Sequence, residues 1–301
     1  MRCPLATPVL AAATSLLLAA CSSGPSGFDA GRLDAERTAK LRACETAYRA
    51  EAPEYPALRD ALLTDPVAAN WLTRMFVLDV LRAREGQPLD EDETDLLRAA
   101  AGIADPLERR AIVELEALGR LALPVVLGDL LRHSQPQPRE LGIELVGRLA
   151  ATGAVTAPDL EPLASSSNPR ERRVAARSLG AIGGDGAVQT RLIALAGDAE
   201  FAVRADAMRG LGRTGEGGAV VLRAALQQDA DPFVRRAAVQ ALARHRSPAT
   251  AQAVVDYLQR CHRDRDTAGE LAAQKTLEAL AGTRGKRSVA DWRSWALQQG
   301  K

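Results

Sequence analysis

In the second half of the chain, apolar positions recur every three or four residues in short segments that turns separate. In the stretch NPRERRVAARSLGAIG at 168–183, the apolar stripe consists of Ala175, Ala176, Leu179 and Ile182. This spacing puts those side chains on one face of a helix. Strand-like alternation is almost absent, so the pattern predicts a helical protein.

The helical segments repeat. Two further stretches superimpose on 168–183, at 200–215 and 231–246, and the three starts lie 32 and 31 residues apart. Weaker copies lie at 105–131 and 135–150. Pro169 and Pro232 suit the first turn of a helix, and glycines at 180, 183, 212 and 215 suit its end. A second amphipathic segment follows each main copy, near 187–196, 219–228 and 249–259, so each copy predicts a helical hairpin.

The pairs Val203-Arg204 and Val234-Arg235, followed by alanines and Ala-Leu or Gly-Leu, resemble short HEAT repeats of the phycobilisome-lyase-like type. Glu171-Arg172 and Pro138-Arg139 keep the Arg and lose the Val. The resemblance implies an all-α fold, a right-handed α-solenoid of HEAT-like helical hairpins, with about five repeats over 105–281. A single hairpin cannot bury its apolar stripe, so the copies must stack. At about 8–10 Å per helix layer they would extend about 40–50 Å, with the second helices on the concave side.

Residues 31–104 predict a helical N-terminal region without a repeat. Leu33, Leu41, Cys44 and Tyr48 share one face of a charged helix. The apolar helix at 65–85 holds Trp71, Met75, Phe76 and Leu81, which we interpret as core. Carboxylates at 90–95 favour a helix start rather than a calcium loop, since the central glycine of such a loop is missing.

The last segment, 282–301, departs from the repeat. Its Asp291-Trp292-Arg293-Ser294-Trp295 resembles the close of exported bacterial HEAT-repeat proteins. Terminal repeats need a cap with a polar outer face, and Trp292 and Trp295 could cover the last apolar stripe. The alternative is a carbohydrate or peptide platform.

The first residues carry one charge, Arg2, followed by an uncharged apolar run that is shorter than the roughly 20 residues a membrane span needs. These features are typical of an export signal. Leu18-Ala19-Ala20-Cys21 resembles the lipobox of bacterial lipoproteins. The resemblance implies cleavage between Ala20 and Cys21, removal of the signal peptide 1–20, and lipidation of Cys21.

The segment 21–30, CSSGPSGFDA, predicts a flexible tether between the lipid and the folded part. Two or more acyl chains give lasting membrane attachment, whereas one does not. Ser22 after the cysteine is similar to the outer-membrane-sorted class. We therefore expect a membrane-anchored lipoprotein of the cell envelope, at the outer membrane and facing the periplasm.

Charge excludes a general affinity for nucleic acid. The chain has 39 Lys and Arg against 38 Asp and Glu, and Arg2 leaves with the signal. No basic run follows, so we expect no nucleic-acid partner. Of the four cysteines, Cys44 and Cys261 remain in the folded part, near opposite ends of an elongated stack. We expect two unpaired, buried thiols.

No catalytic set is apparent. His133, His245 and His262 belong to no His-Glu pair or metal-ligand spacing, so we predict no metal and no cofactor. GAIGGDG at 180–186 follows a helix and lacks the Gly-Lys-Ser/Thr ending of a phosphate loop. Asn168 after three serines is better explained as a helix cap than as part of a catalytic triad.

One arginine recurs at the same repeat position: Arg109, Arg139, Arg172, Arg204 and Arg235. Such a row could bind anions. We favour a structural ladder instead, in which these arginines pair with acids of the preceding unit such as Asp198 and Asp229, because the acids come just before the arginines in the repeat.

The sequence therefore predicts a non-enzymatic, lipid-anchored scaffold or adaptor of the bacterial cell envelope. It would be a monomer that binds an unidentified protein partner on its concave surface. Two alternatives remain: a lyase-type enzyme or subunit related to phycobilin lyases, and a carbohydrate-binding envelope protein.

Overall fold

A computed structural model describes residues 34–85, 105–184, 186–285 and 288–299. Every regular element within these ranges is helical, and no strand occurs in them. The chain divides into two compact units, Met1–Thr152 (unit 1) and Gly153–Lys301 (unit 2). The lipobox, with Ala20 and Cys21, and the acidic stretch at 90–95 lie outside the described residues.

Over its described residues, unit 1 forms six helices, a 3₁₀ turn and a π-helical turn. They are α1 Ala35–Arg49, α2 Tyr55–Leu62, α3 Pro66–Ala83, α4 Pro106–Leu118, a 3₁₀ turn Gly119–Ala122, α5 Leu123–Val125, which runs on as a π-helical turn Val126–Leu130, and α6 Pro136–Ala151. α3 packs along α4, and α6 packs on the π-helical turn.

The core of unit 1 is centred on three aromatic rings. Tyr48 lies 5.3 Å from Tyr55 and 5.1 Å from Phe76, measured between ring centroids. Leu41, Cys44 and Tyr48 are buried on one face of α1, as their spacing predicts. In α3, Met75 and Phe76 are buried whereas Trp71 and Leu81 are only half-buried, so the predicted core cluster is confirmed in part.

Unit 2 is a series of short helices. After a 3₁₀ turn at Ala157–Leu160 they are α7 Glu161–Ala164, α8 Pro169–Ile182, α9 Ala187–Leu195, α10 Phe201–Leu211, α11 Glu216–Gln228, α12 Pro232–Ala241, α13 Pro248–Asp264, α14 Thr267–Ala281 and α15 Val289–Gln298. A 3₁₀ turn, Leu242–Arg244, extends α12.

These helices form two layers. The first helices α8, α10, α12 and α14 pack side by side in chain order. The second helices α9, α11, α13 and α15 do the same. This alternation is the arrangement that the repeat predicts, because each hairpin buries its stripe against the next. The predicted α-solenoid fold is confirmed.

Local sequence signals place the helix starts. α8 and α12 begin at Pro169 and Pro232, as predicted, where proline's missing N–H costs no hydrogen bond. Asn168 caps α8 by accepting a hydrogen bond from the Arg170 amide at 3.0 Å. Asp231 caps α12 from the same position. These caps fix where each hairpin begins.

The predicted roles of two glycines are wrong. Gly215 is the N-cap of α11 rather than the end of α10. Gly180 lies inside α8 rather than at its end. A Cβ at this position would come within 2.8 Å of the Gly210 Cα in α10. Gly180 therefore allows two neighbouring first helices to approach closely. The helix end falls instead at Gly183, whose φ of +67° suits glycine.

Candidate functional site

The recurring arginines bind the loops between hairpins. The Nη1 group of Arg172 donates to the carbonyl oxygens of Ser166 and Ser167, at 2.9 and 3.1 Å. Arg204 does the same with Asp198 and Ala199, at 2.9 and 3.0 Å. One guanidinium thus satisfies two backbone carbonyls of the loop that precedes its helix, which would otherwise lack donors.

The carboxylate partners come from the loop that follows. Arg172 donates from Nε and Nη2 to Asp198, at 2.7 and 2.9 Å, and Arg204 donates likewise to Asp229, at 2.8 and 3.1 Å. We expected the acids of the preceding unit, and this direction is wrong. Asp198 contributes its backbone carbonyl to Arg204 and its carboxylate to Arg172, so one loop is held by the arginines on both sides.

These pairs shift the pKa values of both acids. The hydrogen bond from Arg172 lowers the pKa of Asp198 below its usual range, in spite of partial burial. Burial opposes the shift at Asp229, but hydrogen bonds from Arg204 and the Asp231 amide still lower its pKa. Because Arg172 and Arg204 are fully engaged within the chain, they fit a structural ladder better than an anion site.

Two further recurring arginines, Arg139 and Arg235, share the contacts to loop carbonyls. Arg139 donates through Nη1 to the His133 and Ser134 carbonyls, both at 2.9 Å. Arg235 donates to the Asp229 and Ala230 carbonyls, both at 2.8 Å. Its Nε is buried, and among the described residues it has no hydrogen-bond partner. Arg109 is exposed on α4.

The carboxylate expected at Arg235 is displaced by one extra helical turn. Asp264 stands three residues before α14, as Asp198 and Asp229 stand before α10 and α12. However, α13 continues through Asp264, which is exposed and lies beside Arg263 at 3.3 Å. The ladder is therefore incomplete at the last of its three rungs in unit 2.

The first-helix layer also carries a group of arginines around one buried acid. Asp206 in α10 is 3% exposed. Its Oδ2 accepts hydrogen bonds from Nε of Arg173 and of Arg177, both at 3.1 Å, and its Oδ1 accepts one from Arg209. All three arginine side chains are partly exposed. Three positive charges thus surround one negative charge.

Two phenylalanines adjoin this group. Phe201 and Phe233 are 44% and 42% exposed, and their rings meet edge to face with centroids 6.3 Å apart. The guanidinium carbons of Arg209 and Arg236 lie 5.3 and 5.7 Å from the Phe233 ring centre. We call the surface formed by Arg173, Arg177, Arg209, Arg236, Phe201 and Phe233 the arginine–phenylalanine face.

Our sequence analysis missed this face, although the repeat contains a signal for it. Asp206 aligns with Val174 and Ala237 of the neighbouring copies, both of which are buried. A carboxylate at a buried apolar position needs charged partners. The surrounding arginines supply them.

The second-helix layer presents a different surface. Its exposed side chains include small, apolar and amide-bearing ones as well as charged ones such as Asp256 and Arg293. We define the second-helix surface by Thr190, Ala194, Val220, Gln227, Gln259 and Leu297. Charges nearby pair locally: Arg191 with Glu161 at 2.6 Å and Arg223 with Glu216 at 2.8 Å. This layer therefore offers a nearly neutral surface with hydrogen-bonding groups.

The two C-terminal tryptophans differ in exposure. Trp292 is fully buried, and its Nε1 donates to the Gln274 side chain in α14 at 2.7 Å. Trp295 is half-buried and meets Trp292 edge to face, with centroids 5.6 Å apart. Because Trp292 presents no face to solvent, it is not available for stacking on a sugar. α15 itself packs on α13 as the last second helix.

Cys44 and Cys261 are both buried and unpaired. Burial raises the pKa of the Cys44 thiol to about 11 and also raises that of Cys261, so both stay protonated at neutral pH. Within the described ranges, no cluster of His, Cys, Asp and Glu is arranged to hold a metal ion. Among the same residues, no helix is long and apolar enough to cross a bilayer.

Comparison with known proteins supports the repeat. A family model for HEAT repeats matches residues 190–274, which lie within unit 2. A crystal structure of an engineered protein is similar over 74% of this chain and 94% of its own, at 20% identity and a TM-score of 0.42. No curated protein matches the sequence. HEAT repeats generally form helical scaffolds for protein interaction.

Proposed function

We propose that this chain is a non-enzymatic scaffold that binds a protein partner while lipid on Cys21 anchors it in the bacterial cell envelope. The observation that carries the proposal is the continuous second-helix layer α9, α11, α13 and α15. Stacked helical repeats create extended surfaces of this kind, which bind segments of other proteins. The chain acts as a monomer, and nucleic acid is not its ligand.

The second-helix surface fits an extended protein segment with few charges. Four helices spaced about 8–10 Å apart span about 30 Å between their axes, which matches about nine extended residues. Gln227 and Gln259 are exposed amides that suit a peptide backbone, and Val220 is an exposed apolar contact near the middle. Arg191 and Arg223 beside it are already paired with Glu161 and Glu216.

The anchor places this surface near a membrane. Diacylglycerol and an additional acyl chain on Cys21 give lasting attachment. The tether 21–30 keeps the repeats within reach of the bilayer without fixing their orientation. Serine at position 22 favours the outer membrane and its periplasmic side. The partner is then another envelope protein.

A matched pair of substitutions tests the binding surface. Val220 and Val113 are 53% and 55% exposed, and Val113 lies in unit 1, on α4. The lipidated wild type and V113E should enrich the same envelope protein in affinity capture, and V220E should lose it. A synthetic peptide from that protein should show the same order of affinities. Equal capture by V220E, or a chromophore covalently carried by the purified chain, would contradict the scaffold function.

Intact-mass measurement tests the anchor separately. The mature wild type should begin at Cys21 and carry the mass of its acyl groups. Cys21→Ser should lack that mass and leave the membrane fraction. A wild-type chain without acyl mass would refute the lipoprotein assignment while leaving the binding surface untouched.

A further inference from the structure

Cys261 stands in the helix register where the ladder has its carboxylate one hairpin earlier. The buried positions of α11 each have a buried counterpart 32 residues later in α13, and they are Gly218, Ala219, Leu222, Ala225 and Leu226. The same step leads from Asp229, which binds Arg204, to Cys261. The counterpart of Arg204 is Arg235, which lies close enough to Cys261 to affect the pKa of the thiol. The third rung therefore has a thiol in the register of a carboxylate.

Three buried donor groups around this thiol have no hydrogen-bond partner among the described residues. They are Nε of Arg235, the hydroxyl of Tyr257 and Nη2 of Arg260. All three side chains lie near enough to act on the pKa of Cys261. Tyr257 is 2% exposed and Cys261 is 3% exposed, so the group is almost closed to solvent. Buried donors without acceptors are costly and uncommon, so this cluster suits a group that brings an acceptor to the sulfur.

The thiol also has one carboxylate beside it. Asp266 accepts a hydrogen bond from the Gly269 amide at 2.9 Å through Oδ1, and its Oδ2 lies 4.0 Å from the Cys261 sulfur. A Cβ on Gly269 would come within 2.7 Å of that sulfur and 2.8 Å of the Tyr257 hydroxyl oxygen. Glycine at 269 thus lets α14 pack directly on the thiol, the hydroxyl and the carboxylate.

We propose that Cys261 is a site of reversible oxidation by hydrogen peroxide, with a sulfenic acid as the product. The sulfur loses its proton and attacks one peroxide oxygen, so that the S–O bond forms and the O–O bond breaks. The hydroxide that leaves takes up a proton and becomes water, and the second proton stays on the sulfenic oxygen. One thiol and one peroxide thus give one sulfenic acid and one water, and the sulfur is oxidised by two electrons.

The neighbours of the sulfur match this product. Its single oxygen carries one proton and two lone pairs, as a hydroxyl does. It can donate to the Asp266 carboxylate and accept from Arg235 and Tyr257, whose donors lack acceptors in the reduced chain among the described residues. The oxygen also extends the reach of the side chain by one bond toward these donors. Burial keeps other thiols away, which protects the product from disulfide formation.

Cys44 is the comparison that the chain itself provides. It is also buried and unpaired, and burial together with Glu114 raises the pKa of its thiol to about 11. Arg59 beside it is already bound to Glu114 at 2.9 Å. Burial likewise raises the pKa of Cys261, but its tyrosine and two arginine neighbours oppose the rise. Because the thiolate is the form that reacts, Cys261 should react before Cys44, and slowly.

Trapping followed by peptide mapping tests the proposal. The native full chain is exposed to millimolar hydrogen peroxide, cleared of it with catalase, and unfolded in guanidinium with dimedone, which adds to sulfenic acids. Mass spectrometry should find the adduct on Cys261 at a yield at least about fivefold above that on Cys44. Dithiothreitol given before dimedone should remove the signal, because thiols reduce a sulfenic acid.

Substitutions locate the groups that hold the product. Tyr257→Phe removes only the hydroxyl, and Arg235→Gln removes the guanidinium. Each should lower the yield of adduct on Cys261 by at least about threefold, because the sulfenic oxygen loses a donor. Arg263→Gln changes an exposed arginine on the same helix and should alter the yield by less than about twofold. Y257F keeps the ring and its packing, so the test does not depend on the folding of R235Q.

Three outcomes would overturn the proposal. The first is an equal yield of adduct on Cys44 and Cys261, which indicates general unfolding. The second is an adduct on Cys261 whose yield neither Y257F nor R235Q changes. The third is a Cys261 peptide that carries neither added oxygen nor dimedone. The readout depends on neither the lipid nor the protein partner, because a reaction at Cys21 maps to another peptide.

Discussion

Arg204 in α10 binds both carboxylate oxygens of Asp229 and, through its remaining terminal nitrogen, two carbonyl oxygens of the loop before it. One side chain thereby joins the loops on either side of its hairpin. Arg172 makes the same contacts one hairpin earlier, whereas Arg235 makes only the hydrogen bonds to loop carbonyls. The ladder therefore links successive hairpins through their connecting loops rather than through the apolar stripes.

The ladder predicts coupling between Arg204 and Asp229. Arg204→Ala should lower the free energy of unfolding by about 1–3 kcal/mol, because it removes charge-assisted hydrogen bonds and leaves two loop carbonyls without donors. A double-mutant cycle with Asp229→Ala should give a coupling energy above about 0.5 kcal/mol in urea denaturation.

Arg235 supplies the matched control for this cycle. It has the same two carbonyl contacts and lacks the bidentate carboxylate. Arg235→Ala combined with Asp264→Ala should show no coupling. Strong coupling there, or none between Arg204 and Asp229, would contradict the description of the ladder.

Acid should weaken the ladder. The pKa values of Asp198 and Asp229 are lowered in the folded chain, so the folded state binds their protons less readily than the unfolded state. Their stabilisation is then complete above the unfolded pKa of about 3.9 and disappears as pH falls through the lower folded value. Unfolding free energy measured from pH 7 to pH 2 should fall less steeply in D198N/D229N than in wild type. Asp264→Asn serves as the control, because this exposed carboxylate lies beside Arg263 and takes no part in the ladder.

Gly180 and Gly147 should respond to alanine in opposite directions. Alanine at 180 would press against Gly210 and force α8 and α10 apart, at a cost of about 1–3 kcal/mol. Gly147 lies within α6, and among the described residues no atom lies within 4 Å of a Cβ there. Gly147→Ala should therefore stabilise the chain by up to about 1 kcal/mol. Thermal denaturation of both variants checks the pair, and a loss of stability in G147A alone would be inconsistent with this packing.

Replacing Trp292 should destabilise the chain more than replacing Trp295, because Trp292 is the more deeply buried of the two. Trp292→Ala empties a fully buried site and removes the hydrogen bond to Gln274, so it should cost about 3–5 kcal/mol. Trp295→Ala removes a half-buried ring and should cost clearly less. Chemical denaturation followed by circular dichroism measures both. If W295A were the more damaging change, Trp295 rather than Trp292 would close the stack.

The sequence carries most of the information about helices and their order. Short-range signals in the sequence are enough to locate these helices. They are the proline at the first position of α8 and α12, the Asn168 cap and the apolar stripe. The repeat also predicts the stacking, because each hairpin must bury its apolar stripe against the next hairpin.

The contacts between copies could not be predicted as well. Sequence order suggested that the Asp198 carboxylate pairs with Arg204, whereas it pairs with Arg172 of the hairpin before it. Gly180 looked like a helix end because its contact, Gly210, lies on another helix. The extra turn of α13 that carries Asp264 away from Arg235 is likewise a tertiary outcome. Asp206 is the exception. It stands where the neighbouring copies have a buried apolar residue, and a buried carboxylate at such a position requires charged partners.

The most direct test of the protein-binding function is site-specific photocrosslinking in living cells. A benzophenone amino acid replaces either Val220 on the second-helix surface or Val113 in unit 1, two exposed valines of nearly equal exposure. Irradiation should convert the chain with the probe at 220 into one discrete heavier species that contains a second protein, and mass spectrometry should place the junction at residue 220. The probe at 113 should give none. Crosslinks of equal yield at both positions, or none at 220, would contradict the scaffold function.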